Sequence, residues 1–179
     1  VGLFVDKLKE KGLWDNTVLV VYGDHLGLPI YSLTDREKAL MEDIYGRPYR
    51  FSEMLNIPLL IVAPGVAEPQ VLSQTGGQAD VFPTIANLLG ISLKDHLHFG
   101  QDLLNNEHNL LPQRYYLPSG SFVNDNGIFV PGLNFEDGAS YPFDGRPPSN
   151  GDADRDEYAR ALELLELSDS YVSHLPKHK

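Results

Sequence analysis

The residues of this sequence best suited to chemistry are an adjacent carboxylate and imidazole, Asp24 and His25. A carboxylate oxygen and a neutral imidazole nitrogen together suit Mn²⁺ or Zn²⁺, and they suit Mg²⁺ less well. The pair therefore indicates a metal site. The alternative is that the two polar side chains only cap a loop.

An apolar stretch directly before this pair must position it. Residues Thr17–Tyr22 predict a β-strand, and its central residues are apolar on both alternating faces, which is typical of a strand covered by helices. In open α/β sheets the ligand lies beyond the carboxyl ends of the strands. Neighbouring residues on a strand point to opposite faces. Asp24 and His25 can therefore reach one ion only if the strand has ended, and Gly23 and Gly27 allow that turn.

Helices and a second strand surround this segment. An amphipathic helix that ends at Gly12 precedes the strand, and helix, loop and strand form half of a βαβ unit. A capped helix start is predicted at Thr34–Glu37 and a second buried strand at Ile57–Ala63. A short strand at Val71–Thr75 and a helix at Val81–Leu89 follow.

The last third of the sequence predicts a small antiparallel sheet, a long loop and a terminal helix. The candidate strands are Arg114–Leu117, Ser121–Val123 and Ile128–Val130. Asn124–Gly127 is typical of a hairpin turn. Residues 131–154 are rich in Gly, Pro, Asn and Asp and predict a loop, and Asp156–Leu175 predicts a helix. Tyr115, Tyr116 and Phe122 are expected in the core of this sheet rather than on a sugar-stacking platform.

Composition excludes several classes of protein. The 179 residues carry a formal net charge of −11 and contain no cysteine. Nonspecific nucleic-acid binding is not expected because no basic surplus exists to neutralise phosphates. Disulfides and thiolate metal ligands are ruled out. No apolar run of about 18 residues predicts a membrane-spanning helix. The sequence starts in mid-pattern without a methionine, so we expect a piece of a longer protein.

Several motifs occur in the order that is typical of one superfamily. They lie at Trp14–Thr17, Tyr22–His25, Ile57–Gly65, Gln78–Gly90 and Phe99–Leu103. Together these segments resemble the sulfatase and alkaline-phosphatase-like superfamily. The form Tyr-Gly-Asp-His, followed one residue later by Gly27, is most similar to its lipoteichoic acid synthase branch, the phosphoglycerol transferases. The larger Leu26 points away from the arylsulfatases.

The resemblance implies an α/β fold and a domain division. We expect a partial alkaline-phosphatase-like, mixed and mainly parallel sheet flanked by helices, followed by a small C-terminal antiparallel sheet and a terminal helix. Residues 1–112 would be the C-terminal part of the catalytic domain. Residues 113–179 would form the small antiparallel subdomain, the Gly/Pro-rich loop and the last helix.

The resemblance also implies site roles. Asp24 and His25 would be two ligands of one divalent cation, with Mn²⁺ favoured over Mg²⁺ or Zn²⁺. The family's nucleophilic threonine, a glutamate ligand and a phosphate-contacting histidine would lie upstream, so no catalytic nucleophile is assigned here. Thr17, Thr34, Thr75 and Thr84 do not match the nucleophile's place in the motif order.

The implied function is that of a C-terminal portion of a metal-dependent phosphoglycerol transferase. It would act on a phosphatidylglycerol-type lipid at the outer face of the cytoplasmic membrane and build a glycerophosphate polymer. The portion alone would be inactive, would need the remainder of its parent chain and would tend to self-associate through open strand edges. The alternatives are a sulfatase or phosphodiesterase of the same superfamily and a non-catalytic binding domain derived from it.

The remaining candidate ligands have simpler interpretations. Asp80 is expected to be a helix N-cap rather than a metal ligand. His96 and His98 are interpreted as surface histidines rather than as a metal pair. No role is assigned to the other histidines of the second half, His108, His174 and His178.

Overall fold

The computed structural model describes residues 1–66, 68–150 and 153–176. Its helices and strands are of the α/β class, as predicted. The chain divides into two compact units, Val1–Val71 and Leu72–Lys179. The sequence predicted a boundary between residues 112 and 113. That boundary separates domains as the family defines them, and it stays a prediction.

The first unit contains three helices, one short 3₁₀ turn and two strands. They are α1 Gly2–Glu10, the 3₁₀ turn Trp14–Asn16, β1 Leu19–Tyr22, α2 Asp35–Tyr45, α3 Phe51–Leu55 and β2 Leu59–Val62. The predicted capped helix start is confirmed, because the Thr34 hydroxyl accepts from the backbone N–H of Glu37 while the Glu37 carboxylate accepts from the backbone N–H of Thr34. Gly12 and Gly46, both with φ of +65°, follow the ends of α1 and α2.

The direction and burial of the paired strands in this unit differ from the expectation. β1 and β2 are antiparallel, with Tyr22 opposite Leu59, where a mainly parallel sheet was expected. Tyr22 is 49% exposed and Leu60 is 55% exposed, so the strands are not covered on both faces. Apolar residues on both faces of a strand predict burial, but they encode neither the direction of its neighbour nor what covers it.

A short helix, α3, was not predicted. No element was predicted between the helix start at Thr34–Glu37 and the strand at Ile57, yet Phe51–Leu55 is helical and Met54 is almost fully buried. Glu53 is buried too, and it forms an ion pair with Arg47 at 3.1 Å. Five residues are too few to show a helical apolar period, so local pattern could not reveal this helix.

The second unit contains a helix, a four-stranded antiparallel sheet and the terminal helix. They are α4 Gln78–Leu88, β3 Leu111–Gln113, β4 Ser121–Val123, β5 Gly127–Val130, β6 Ala139–Pro142 and α5 Arg155–His174. The strands lie in the order β3-β4-β5-β6. The hairpin between β4 and β5 is confirmed, and Asn124 donates to and accepts from Gly127 across its turn.

An aromatic core joins this sheet to α5. Phe122 and Phe129 lie with ring centroids 5.3 Å apart, and they pack with the fully buried Ala161 of α5. Tyr158 of the same helix meets Phe129 edge-on at 5.9 Å. Edge-to-face and tilted aromatic pairs add to the free energy gained by burying the rings. The predicted terminal helix therefore packs against the sheet and buries its aromatic residues.

Four local predictions from residue 71 onward were wrong. Val71–Thr75 is not a strand, and the first strand of the sheet is Leu111–Gln113 rather than Arg114–Leu117. The fourth strand, β6, lies in the stretch that was interpreted as a loop. Tyr115 and Tyr116 are largely exposed, although Phe122 is buried as expected. The sheet ends at Gln113, and the two tyrosine rings pack on each other at 4.2 Å.

Within the described part of the chain, no helix combines the length and the apolarity that crossing a membrane requires.

Candidate metal centre

The strand β1 ends just before the two candidate ligands. Its last residue is Tyr22, and Gly23 donates its backbone N–H to the carbonyl of Pro58 at 3.0 Å. A β-carbon at Gly23 would lie 2.9 Å from the β-carbon of Ile57. Glycine is therefore required here by the close approach of the chain that leads into β2. Asp24 begins a non-strand segment, as the sequence predicted.

The loop that carries the pair rests on the segment around α3. Gly27 donates its N–H to the carbonyl of Met54 at 2.8 Å. The Tyr49 hydroxyl donates to the carbonyl of Leu28 at 3.0 Å. Burial raises the pKa of Tyr49, so its hydroxyl stays a proton donor. These bonds fasten the loop to the segment around α3.

The two candidate ligands lie close together and face solvent. Nε2 of His25 is 4.0 Å from Oδ1 of Asp24, and the side chains are 85% and 90% exposed, respectively. Nδ1 of His25 is 2.5 Å from the carbonyl oxygen of Leu26. A carbonyl oxygen can only accept a hydrogen bond, so Nδ1 carries the proton in the neutral ring and Nε2 keeps its lone pair.

This arrangement fits the donor chemistry of a divalent cation. Two donors bound to one ion at about 2.1 Å lie roughly 3.0 Å apart in octahedral geometry and roughly 3.4 Å apart in tetrahedral geometry. The observed 4.0 Å between Asp24 and His25 exceeds these values by an amount that a side-chain rotation of an exposed aspartate can close. Metal-bound histidines usually donate their other N–H to a carbonyl or carboxylate. The Leu26 carbonyl takes that place.

Two donors do not complete a coordination shell. Among residues 1–66, 68–150 and 153–176, no group of three or more His, Asp or Glu side chains is arranged to hold a metal ion. Asp24 and His25 would thus be part of a larger ligand set.

The motif Asp-x-x-Pro-Thr in the second unit has a structural role. Asp80 is the third residue of α4 rather than its N-cap, because the helix begins earlier than predicted, after Gly77. Its buried carboxylate accepts from the N–H of Gly77 at 2.8 Å, from the N–H of Gln101 at 2.6 Å and from the Asn109 amide at 2.7 Å. These bonds use both oxygens to fasten the segment after α4, so Asp80 is not assigned to a metal.

The rest of this motif meets the Phe-Gly-x-Asp-Leu segment. The buried Thr84 hydroxyl donates to the carbonyl of Asp80 at 2.6 Å and accepts from the N–H of Leu103 at 3.0 Å. Pro83 has no N–H to donate to the carbonyl of Ala79. Gly100 lies against that carbonyl, where a β-carbon would sit 2.0 Å from the oxygen. The missing N–H of Pro83 and the missing side chain of Gly100 therefore allow the two motifs to pack on each other.

The remaining histidines divide into two groups. Nδ1 of His98 lies 2.8 Å from the carbonyl oxygen of Gly100, and His96 is exposed. Among the described residues, neither histidine belongs to a group that could hold a metal ion. His108, to which the sequence assigned no role, lies between two carboxylates, those of Asp125 and Glu157. His178 lies outside the described residues.

Sequence reasoning missed the residues that support the loop of Asp24 and His25. Tyr49 and Met54 come about 25 and 30 residues after Asp24, and each bonds to the loop that follows it. The one local signal was Gly27, whose absent side chain leaves room for the Tyr49 hydroxyl. A glycine that allows close approach does not identify what approaches.

Comparison with known proteins assigns the chain to a class. The family model described as Sulfatase matches residues 1–91. The structure matches the crystal structure of the lipoteichoic acid synthase LtaP from Listeria monocytogenes with a TM-score of 0.85 and 32% sequence identity, over 99% of this chain and 44% of that chain. The chain therefore belongs to the sulfatase family, and its α/β fold matches that of a solved member.

Within this family the chain is similar to lipoteichoic acid synthases. It is 37% identical over 145 residues to the lipoteichoic acid synthase of Staphylococcus saprophyticus, which covers 80% of this chain and 21% of that protein. It is 29% identical over 175 residues to lipoteichoic acid synthase 2 of Bacillus subtilis, which covers 95% of this chain and 25% of that protein. The chain thus spans about a fifth to a quarter of the length of these curated relatives.

Proposed function

We propose that this chain is part of the catalytic domain of a metal-dependent phosphoglycerol transferase. The observation that carries the proposal is the pair Asp24 and His25, which lies at the end of β1 with one carboxylate oxygen and one unprotonated nitrogen 4.0 Å apart. The similarity of the chain to lipoteichoic acid synthases supports phosphoglycerol transfer as the class of reaction. The substrate would be a phosphatidylglycerol-type lipid and the product a glycerophosphate polymer of the cell envelope.

The chain's own residues would bind and orient, and they would not transfer protons. Asp24 would supply an anionic oxygen and His25 a neutral nitrogen through Nε2, while the Leu26 carbonyl fixes the ring and its tautomer. A divalent cation, Mn²⁺ in our proposal and Mg²⁺ or Zn²⁺ as alternatives, supplies Lewis acidity and lowers the pKa of a bound hydroxyl.

The isolated chain would be inactive. The proposed nucleophilic threonine and the remaining ligands belong to the parent chain upstream of this segment, and two ligands hold a cation weakly. The exposed side chains of β1 and β2, such as Tyr22 and Leu60, would pack against that remainder. Without it, we expect the isolated chain to self-associate through these strands. The catalytic domain of the parent would face the outside of the cytoplasmic membrane.

The proposal is tested by assaying glycerophosphate release from a phosphatidylglycerol analogue. The full-length parent, the isolated chain and the parent variants Asp24→Asn and His25→Gln would be compared, with and without a chelator. We expect activity from the parent alone, its loss with chelator and its recovery with Mn²⁺. Asp43→Asn, which changes an exposed carboxylate on α2, is the matched control.

Three outcomes would contradict the proposal. Turnover by the isolated chain would remove the need for upstream residues. Full activity of Asp24→Asn would remove the role of the pair. Hydrolysis of an aryl sulfate in preference to the phospholipid analogue would favour a sulfatase of the same family.

A further inference from the structure

One histidine of the second unit lies between two acidic side chains from distant parts of the chain. Nδ1 of His108 is 2.7 Å from Oδ2 of Asp125, in the turn between β4 and β5. Nε2 of His108 is 2.9 Å from Oε1 of Glu157, in the first turn of α5. These two carboxylates are the charged groups that face the ring from the elements packed against it.

The geometry requires two donors on the ring. An ionised carboxylate only accepts hydrogen bonds, whereas a neutral imidazole carries a single N–H. Both contacts of His108 can be hydrogen bonds only when the ring is an imidazolium. The hydrogen bonds to Glu157 and then to Asp125 raise its pKa, and they outweigh the smaller, opposite effect of partial burial.

Each carboxylate has a second attachment. Glu157 is buried, and its other oxygen accepts from the Asn124 amide at 2.8 Å. Asp125 accepts through Oδ1 from the N–H of Thr75 at 2.8 Å. His108 therefore connects its own loop with the β4–β5 turn, with α5 and with the segment that leads into α4.

The same contacts form part of a cavity wall. A cavity of about 650 Å³ is lined by Asp125, by Ser73 and Gln74 and by residues 104–107, directly before His108. Two of its walls, the segment before α4 and the loop before β3, are both tied to Asp125. The shape of the cavity thus depends on where that carboxylate is held.

We propose that His108 is a proton-operated clamp that holds the loop before β3 against the β4–β5 turn and α5, and so sets the shape of this cavity. The clamp is closed when the ring is doubly protonated. When the ring loses its proton, one carboxylate loses its donor and the other keeps a single bond. If Glu157 loses its donor, it retains only the Asn124 amide; if Asp125 loses its donor, it retains only the backbone N–H groups of Thr75 and Asn109, and its position is held less firmly.

The sign of the pH dependence follows from the raised pKa. A histidine whose folded pKa lies above the unfolded value of 6.5 contributes its full stabilisation below that value. The contribution is lost as the pH rises through the folded pKa. The clamp should therefore open as the pH rises through a value above 6.5.

The test is a pH series on the full-length parent, in which the histidine rings are followed by NMR and the backbone amides by hydrogen exchange from about pH 5.5 to about pH 9.5. The ring of His108 should titrate above the ordinary histidine pKa of 6.5, because its hydrogen bonds to Glu157 and Asp125 favour the charged ring. The amide of Thr75, which donates to Asp125, should exchange about fivefold faster above the transition, after correction for the intrinsic rate.

Two variants and one control sharpen this test. His108→Gln, which has no charge, should show fast Thr75 exchange at every pH. Glu157→Gln should shift the transition to lower pH, and this outcome does not depend on whether His108→Gln folds. His98→Gln should behave as the unchanged chain does.

Three results would overturn the proposal. One is a Thr75 exchange rate that, after correction for the intrinsic rate, does not change between about pH 5.5 and about pH 9.5. Another is a His108 ring that titrates at or below pH 6.5. The third is a His108→Gln chain whose Thr75 amide is as protected as in the unchanged chain at low pH.

Discussion

Gly27 lies so close to Tyr49 that a β-carbon at residue 27 would be 2.5 Å from the tyrosine hydroxyl. The same residue donates its N–H to the carbonyl of Met54. This contact holds the loop of Asp24 and His25 against α3. The position of Asp24 and His25 therefore depends on Gly27, although Gly27 has no side chain that could bind a metal.

Replacing Gly27 by alanine should destabilise the first unit and weaken metal binding by the parent. The added methyl group meets the Tyr49 hydroxyl, and overpacking of this kind costs about 1 to 3 kcal/mol. The measurement is the free energy of unfolding by urea. Gly2→Ala is the control, because nothing lies within 4 Å of its new methyl group.

Removing the Tyr49 hydroxyl in the same chain gives a second check on this contact. The double variant Gly27→Ala/Tyr49→Phe should recover part of the loss, because the nearest clashing atom is gone. Additive effects of the two substitutions would contradict the direct contact between residues 27 and 49.

Replacing the buried Thr84 by valine should destabilise the second unit by about 2 to 3 kcal/mol. Valine has the shape of threonine but no hydroxyl, so the N–H of Leu103 loses its acceptor and stays buried. Thr84→Ser keeps the hydroxyl and should cost less, about 1 kcal/mol for the lost methyl group. Denaturant unfolding checks the order, and equal losses for the two variants would argue against the hydrogen-bonding role.

Gly100→Ala should have the largest effect among single substitutions in the second unit, about 3 kcal/mol or more. Its methyl group would sit 2.0 Å from the carbonyl oxygen of Ala79, and a helix backbone cannot move away. Gly76→Ala is the graded comparison, since its methyl group would meet only the flexible end of Leu103 at 2.8 Å. Thermal unfolding should rank Gly100→Ala well below Gly76→Ala, and the reverse order would contradict this packing.

Local signals in the sequence sufficed for elements whose ends carry their own chemistry. The capping box at Thr34, the glycine after α1, and the turn at Asn124–Gly127 were predicted because each is encoded within a few residues. The candidate pair at Asp24 and His25 was found in the same way, at the end of an apolar strand.

Other features depend on residues far apart in the sequence. The antiparallel pairing of β1 with β2 joins residues about 40 apart, and no local pattern specifies its direction. β6 pairs with β5 although its own stretch is rich in turn residues. The partners of His108 lie 17 and 49 residues away, so its role between two carboxylates could not be predicted from its neighbours.

The central claim is that Asp24 and His25 hold one divalent cation, and Mn²⁺ titration of the full-length parent tests it most directly. The unchanged protein, Asp24→Asn, His25→Gln and the control Asp43→Asn would be titrated by calorimetry or by the electron paramagnetic resonance of free Mn²⁺. Loss of either ligand should weaken binding by about 100-fold or more, since changes to outer-shell partners alone cost about 10- to 100-fold. Unchanged Mn²⁺ affinity in both Asp24→Asn and His25→Gln would contradict the claim.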